Sequence, residues 1–171
     1  PFYGSVDLRN SGFKLAPVDM NLFPGGFNNL NSAFLPLCVQ AAMTAIEKIC
    51  PNAKSLLLIP ENHTRNIHYL QNVARLVNIL RLTGLDVRLG SLLPEIEKPT
   101  SIDLQNGTSL LLEPLVRTQY RLGLEDFDPC AVLLNNGVFP EGWEYAKLFE
   151  EWLIPVCAPE AAAGELGSLS R

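Results

Sequence analysis

The chain has 171 residues, 47% of them apolar and 18% charged, with a formal net charge of -5, a balance that fits one ordinary globular domain. A sequence pI near 5.0 and the absence of any Lys/Arg run give a phosphate backbone nothing to be drawn to, so nucleic acid is not an expected partner. No apolar run approaches the ~18 residues of a membrane span, and the start PFYGSVDLRN lacks the charged-then-apolar layout of a signal peptide; a cytoplasmic protein without membrane association is expected, and a homo-oligomer is left open.

In chain order, SVDLR alternates and reads as a short strand, and residues Asn10 to Asn31, rich in Gly, Pro and Asn, read as one long ordered loop. Loops beyond about 12–15 residues are usually functional or disordered. Here Phe13, Phe23 and Phe27 argue for order. From Ser32, the expected N-cap, AFLPLCVQAAMTAIEKIC places Phe34, Leu37, Cys38, Ala41, Ala45 and Ile49 on one helical face, and Pro51 stops it. KSLLLIP is a continuous apolar run, the pattern of a strand covered on both faces.

Asn62 or Thr64 is then expected to cap a second helix. Its buried stripe is Ile67, Leu70, Val73, Ala74, Val77 and Leu80, with Arg65, Arg75 and Arg81 toward water and Gly84 at its end. LDVRLGS follows as a strand, and TSIDLQNGTSLLLEP as a hairpin whose Asn106-Gly107 pair suits a type I′ turn. CAVLLNN is a further buried strand, PEGWEYAKLFEEWL an amphipathic helix, and APEAAAGELGSLSR a frayed tail. Helix alternating with strand predicts an α/β fold, a mainly parallel sheet flanked by helices with one β-hairpin. A single domain is expected over 1–155, with a disordered tail over 156–171.

Open α/β sheets collect ligands beyond the carboxyl ends of their strands. Three polar clusters fall at such ends: DLRNSGFK, PENHTRN and NNG. Each has a plain explanation. Asp7 and Arg9 could form an exposed ion pair, Glu61, Asn62 and Thr64 could cap a helix with His63 in the loop, Asn28 and Asn29 could serve turn geometry, and Gly25-Gly26 could be a turn or a close approach to a ligand. Taken together, Arg9, Lys14, Arg65, several amides and the acids Asp7, Asp19 and Glu61 suit an amino-acid ligand, with donors for a carboxylate and an acid for an ammonium.

Other chemistries find no support. Cys38, Cys50, Cys130 and Cys157 include no C-x-x-C pair and are expected to be buried free thiols. His63 and His68 are spaced wrongly for a shared helical face, so zinc is not expected. P-loop, dinucleotide-binding and nucleophile-elbow motifs are absent.

The segments SVDLRNSGFKLAPVDMNLFPGGFNNLN, LLIPENHTRNIHYLQNVARLVNILRLTGLDVRLGS, LLLEPLVR and FDPCAVLLNN together resemble the proteobacterial-type glutamate–cysteine ligase family, whose fold is related to ATP-grasp enzymes. The resemblance runs from Phe2 to Asn136 and implies a pre-ATP-grasp, Rossmann-like fold. It also implies ATP-dependent joining of the glutamate γ-carboxylate to the cysteine amine through a γ-glutamyl phosphate, the first step of glutathione synthesis, with ATP and Mg²⁺ required. On that footing Arg9, Lys14 and Arg65 are expected to meet carboxylates, Asp19 or Glu61 an ammonium, and Asn21, Asn28, Asn29 and Asn66 to orient the substrate. No catalytic residue or metal ligand is assigned, because family members are longer and their ATP-grasp portion lies downstream. The chain is therefore expected to be the N-terminal part of a longer ligase, inactive alone. The alternative is a non-catalytic amino-acid-binding or regulatory α/β module.

Overall fold

The computed structural model describes residues 3–21, 25–61, 65–117 and 122–135. In chain order they form β1 (Ser5–Asn10), β2 (Leu15–Asn21), α1 (Leu35–Ile49), β3 (Ser55–Pro60), α2 (Ile67–Leu82), β4 (Asp86–Ser91), β5 (Thr100–Asp103), β6 (Ser109–Pro114), β7 (Val116–Arg117), β8 (Leu122–Gly123) and β9 (Ala131–Asn135). The expected helix PEGWEYAKLFEEWL and the tail 156–171 lie outside the described residues.

The central sheet has the order β5-β6-β4-β3-β9. Strands β4 and β9 run parallel to β3, β6 runs parallel to β4, and only β5 is antiparallel to its neighbour β6. The fold is thus α/β with a mainly parallel sheet, as the apolar runs imply. Successive residues of a strand face opposite sides, so SLLLIP feeds two cores at once. Leu56 and Leu58 join Val87, Leu89 and Leu133 beneath Leu70, Val73, Val77 and Leu80 of α2. On the reverse side, Leu57 and Ile59 meet Val132 and Leu134, covered by Leu122, Leu124 and Phe127.

Both described helices belong to the first layer: α2 lies on the sheet and α1 packs on α2. The reverse layer is closed by the segment around β7, β8 and the turn Leu124 to Phe127, where Gly123 is packed so tightly that a Cβ would lie 2.4 Å from the Phe127 carbonyl oxygen. Its charged member is Arg88 of β4, whose guanidinium forks onto the buried Glu113 carboxylate of β6. It also meets Asp126 at 2.8 Å and lies 5.1 Å from the centre of the Phe127 ring. The bond to Glu113 and then the other acid hold the guanidinium more firmly protonated than usual, so this is a fixed ionic clasp between neighbouring strands.

Four expectations need correction. First, Asn10 to Asn31 is not one loop: Leu15–Asn21 pairs with Ser5–Asn10 as an antiparallel hairpin with a bulge between Asp7 and Leu8. Pro17 and the near-complete exposure of both strands hide it, because no buried face imposes an alternating pattern. Second, Asn31 rather than Ser32 caps the entry to the first helix, its side chain accepting the Ala33 N–H at 2.9 Å. A 3₁₀ turn over Ser32–Phe34 precedes α1.

Third, the inward stripe of α1 is rotated from the one expected. Ile46 is buried with Ala42 against the core, whereas Phe34 and Leu37 are 55% and 60% exposed. The helix is apolar on most sides, so periodicity permits either face and contact with α2 decides. Fourth, the β5-β6 hairpin does not use a type I′ turn. Positive φ falls on Gln105 and Gly107, in a five-residue connection closed by the Leu104 N–H to Thr108 carbonyl bond at 3.0 Å. Burial of Leu104 draws the connection inward and overrides the two-residue turn.

Replacing Leu58 with Ala should cost about 2–5 kcal/mol, because the cavity opens in the first core layer, next to α2. Phe13→Ala, at a side chain 92% exposed, should change stability by less than about 0.5 kcal/mol. Urea unfolding of the two variants checks the contrast; equal effects would contradict the burial of Leu58 beneath α2.

Candidate functional site

α2 starts where β3 ends, and its first turn carries most of the polar contacts of the carboxyl edge. The Asn66 side chain accepts the Tyr69 N–H at 3.1 Å while its carbonyl accepts the Leu70 N–H at 3.0 Å. Asn66 is therefore the cap, in place of the expected Asn62 or Thr64, which lie outside the described residues. Helix geometry leaves the N–H groups of Ile67 and His68 without intrahelical partners, and the helix dipole adds partial positive charge there.

From the same turn, Tyr69 reaches back across the strand ends. Its hydroxyl accepts the Glu61 N–H at 2.7 Å and lies 2.9 Å from Asn135 Oδ1 and 3.2 Å from the Asn135 carbonyl. Its single proton favours the nearer carboxamide oxygen. Asn135 in turn donates through Nδ2 to the Tyr3 hydroxyl at 2.7 Å, and the Tyr3 ring meets Phe27 edge-on at 5.9 Å. The Phe27 N–H donates to Asn72 Oδ1 at 2.7 Å, which returns the path to the second turn of α2. Asn72 is only 3% exposed. This closed circuit ties the segment before β1, the Gly-Gly loop, β9 and α2 to one another.

A cleft of about 400 Å³ lies against the circuit, lined by Gly25, Gly26, Asn28, Asn29, Asn66 and Tyr69 among others. Gly26 takes φ +86, a conformation open to glycine, and launches the 3₁₀ turn Phe27–Asn29 that carries both asparagines to the cleft.

The expected site residues divide into two groups. Asn28, Asn29 and Asn66 converge on the cleft, Glu61 is joined to it through its backbone bond to Tyr69, and Arg65 stands exposed just before the cap. Arg9, Lys14, Asp19 and Asn21 lie on the β1-β2 hairpin. Asn21, opposite Ser5, is at its foot. Asn10, opposite Leu15, closes the far end about 17 Å away along the strand, which puts Arg9 and Lys14 near the tip. Asp7 is directly opposite Asp19, an arrangement of like charges that favours a cation between them. Asp19 already accepts the Met20 N–H at 2.8 Å.

Tyr3, Tyr69 and Asn72 were not among the expected site residues, and Asn135 was expected only as part of the NNG cluster at a strand end. Asn72 carries a legible signal, since it falls in register with Leu76 and Ile79 on the buried side of α2. Among the described residues no group of three or more His, Cys, Asp or Glu side chains could hold a metal ion. Cys130 stands at the opposite, amino edge of the sheet, its thiol lowered by a backbone bond at Lys54 and by Ser55.

Burial pushes the Tyr3 hydroxyl up to about 12, against the opposing bond from Asn135, and raises Tyr69 likewise, against its bond from Glu61. A phenol whose folded value exceeds its unfolded value of 10.0 stabilises the fold fully below that pH and loses the contribution as pH rises through the folded value. Stability should therefore fall above pH 10, and less steeply in Tyr3→Phe, as read by chemical unfolding at a series of pH values. At neutral pH, Tyr69→Phe should cost about 1–3 kcal/mol, since the Glu61 N–H loses its acceptor. A neutral effect would mean that the hydroxyl does not hold the strand ends.

A family model described as GshA, glutamate-cysteine ligase, matches residues 1–159. The fold is similar to the crystal structure of a protein from Methylobacillus flagellatus KT named as a gamma-glutamylcysteine synthetase, with 68% sequence identity and a TM-score of 0.75. The similarity covers 80% of this chain and 32% of the other, so the chain spans about a third of that protein's length. A comparison with curated proteins gave no match. A family match over nearly the whole chain, with a fold shared at this identity, establishes that the chain belongs to the glutamate–cysteine ligase family.

Proposed function

We propose that the chain supplies the substrate-side α/β part of a glutamate–cysteine ligase, which forms γ-glutamylcysteine from glutamate and cysteine with turnover of ATP. The observation that carries this is the convergence of Asn28, Asn29 and Asn66 on a cleft at the N-terminus of α2. Free N–H groups and a positive dipole end there suit a carboxylate, and the location beyond the ends of β3 and β9 is where open α/β sheets bind ligands. The carboxamides would orient an amino acid without adding charge, and Arg65 at the rim would draw its carboxylate in. Asp19 or Glu61 is assigned to an ammonium group, and Arg9 and Lys14, near the hairpin tip, to a carboxylate farther from the cleft.

ATP would activate the γ-carboxylate as an acyl phosphate, the form an amine can displace. No group of three or more His, Cys, Asp or Glu side chains that could hold a metal ion occurs among the described residues, and no step through Mg²⁺ is assigned to them. A cytoplasmic setting is part of this reading; Cys38, Cys50 and Cys130 are free thiols, half-buried rather than buried as expected, and no helix among the described residues is long and apolar enough to cross a membrane.

Phosphate release by the full-length protein, dependent on ATP, glutamate and cysteine together, tests the activity. Its absence in a folded preparation that still binds glutamate would leave an amino-acid-binding module instead. Asn66→Asp keeps a competent cap but sets a negative charge beside the carboxylate. The glutamate KM should rise about 10-fold or more with a smaller change in kcat. An unchanged KM would remove the carboxylate from this cleft.

A further inference from the structure

The solvent side of α2 bears a second feature that the ligase reading does not use. His68, Gln71, Arg75, Asn78 and Arg81 follow one another at spacings of three and four residues, which places them in one stripe along the helix. The stripe forms a wall of a groove of about 690 Å³, and the β5-β6 connection with Asn106 forms the facing side. That volume falls within the range of small-molecule sites.

The charge of the groove runs against that of the chain. The protein carries -5 overall, yet α2 contains no acidic residue and none of the described residues lining the groove is a carboxylate. Asp103, in register with Ser109 at the rim, accepts the Gln105 N–H at 2.9 Å and is not part of the lining. Two of the polar groups are held in place: Gln71 donates to the Leu104 carbonyl at 3.2 Å, and Arg81 donates through Nε and Nη2 to the Val87 carbonyl at 3.1 and 2.7 Å. Arg75 is half-buried and makes no hydrogen bond or ion pair among the described residues. A solvated helix face of ordinary composition would carry both signs of charge. A stripe of cations and amides on a concave wall with an anchored guanidinium has the donors for an anion, and no carboxylate among the lining residues to repel it.

We infer that the groove between α2 and the β5-β6 connection is an anion site for a small molecule bearing two or more phosphoryl or carboxylate groups, with Arg75 as its principal charged contact. The site is separate in its charged groups from the amide-lined cleft at the start of α2, and it does not depend on the ligase reading. Asn28, Asn29 and His68 border both cavities, so occupancy of one can alter the other.

Amide chemical shifts of the 171-residue chain, once its dispersed spectrum shows it folded, test the proposal with two probes, pyrophosphate and glutarate. Saturable shifts at His68, Arg75, Asn78 and Asn106 are expected with at least one probe. The stronger probe tells whether phosphoryl or carboxylate groups are preferred. Binding should weaken about 10-fold in Arg75→Gln, which loses a charged hydrogen bond, should weaken also in Asn78→Asp, and should fall as KCl is raised. Absence of shifts with both probes, or undiminished binding in Arg75→Gln with an unchanged unfolding midpoint, would overturn it. Loss of ligase activity in the full-length protein with the groove shifts intact would sink the ligase proposal and leave this one standing.

Discussion

Burial of β3 on both faces is the constraint on which the described structure rests. Each of Leu56, Leu57, Leu58 and Ile59 is at most 1% exposed, which is attainable only if neighbouring strands pair on both edges and something covers both faces. Parallel neighbours β4 and β9 meet the first demand, and α2 with the Leu122 to Phe127 segment meets the second. Because α2 returns the chain from β3 to β4, the same segment that covers the sheet also begins at its carboxyl edge. The position of the candidate site follows from the packing of the core.

At that edge, polar groups replace apolar ones as the organising contacts. Backbone groups at strand ends are left without ladder partners, and buried ones must be met by side chains. Tyr69 meets the Glu61 N–H, Asn72 the Phe27 N–H, and Asn135 links Tyr69 to Tyr3. The circuit joins segments more than 130 residues apart in sequence, as between Tyr3 and Asn135. It thus brings the Gly-Gly loop against the helix start, and a cleft lined by carboxamides results. The hairpin β1-β2 is different in kind: Leu8, Phe13, Leu15 and Met20 are each more than half exposed, so its shape comes from its own ladder.

Much of the sheet was legible because doubly buried strands must be continuous apolar runs, and SLLLIP and CAVLLNN have no other easy reading. α2 was legible through its stripe and through Gly84, which takes φ +92 where the helix stops. In the candidate site, Asn28, Asn29 and Asn66 stood out as amides in loops at strand ends. Arg9 and Lys14 looked equivalent to them in sequence, and the hairpin carries them toward its tip. Nothing local to Leu15–Asn21 announces a strand, since an exposed two-stranded ladder needs no alternating pattern.

Periodicity and long motifs are local properties that survive without coordinates, so the fold class, the parallel strands and the family were readable from the residues alone. Packing was needed to settle which face of α1 turns inward, which residue caps α2, and that His68, Arg75 and Arg81 look across a groove at Asn106. Those outcomes depend on contacts between distant segments. A helix apolar on most sides, a loop with several candidate caps and a stripe of polar side chains each admit more than one arrangement until a neighbour is packed against them.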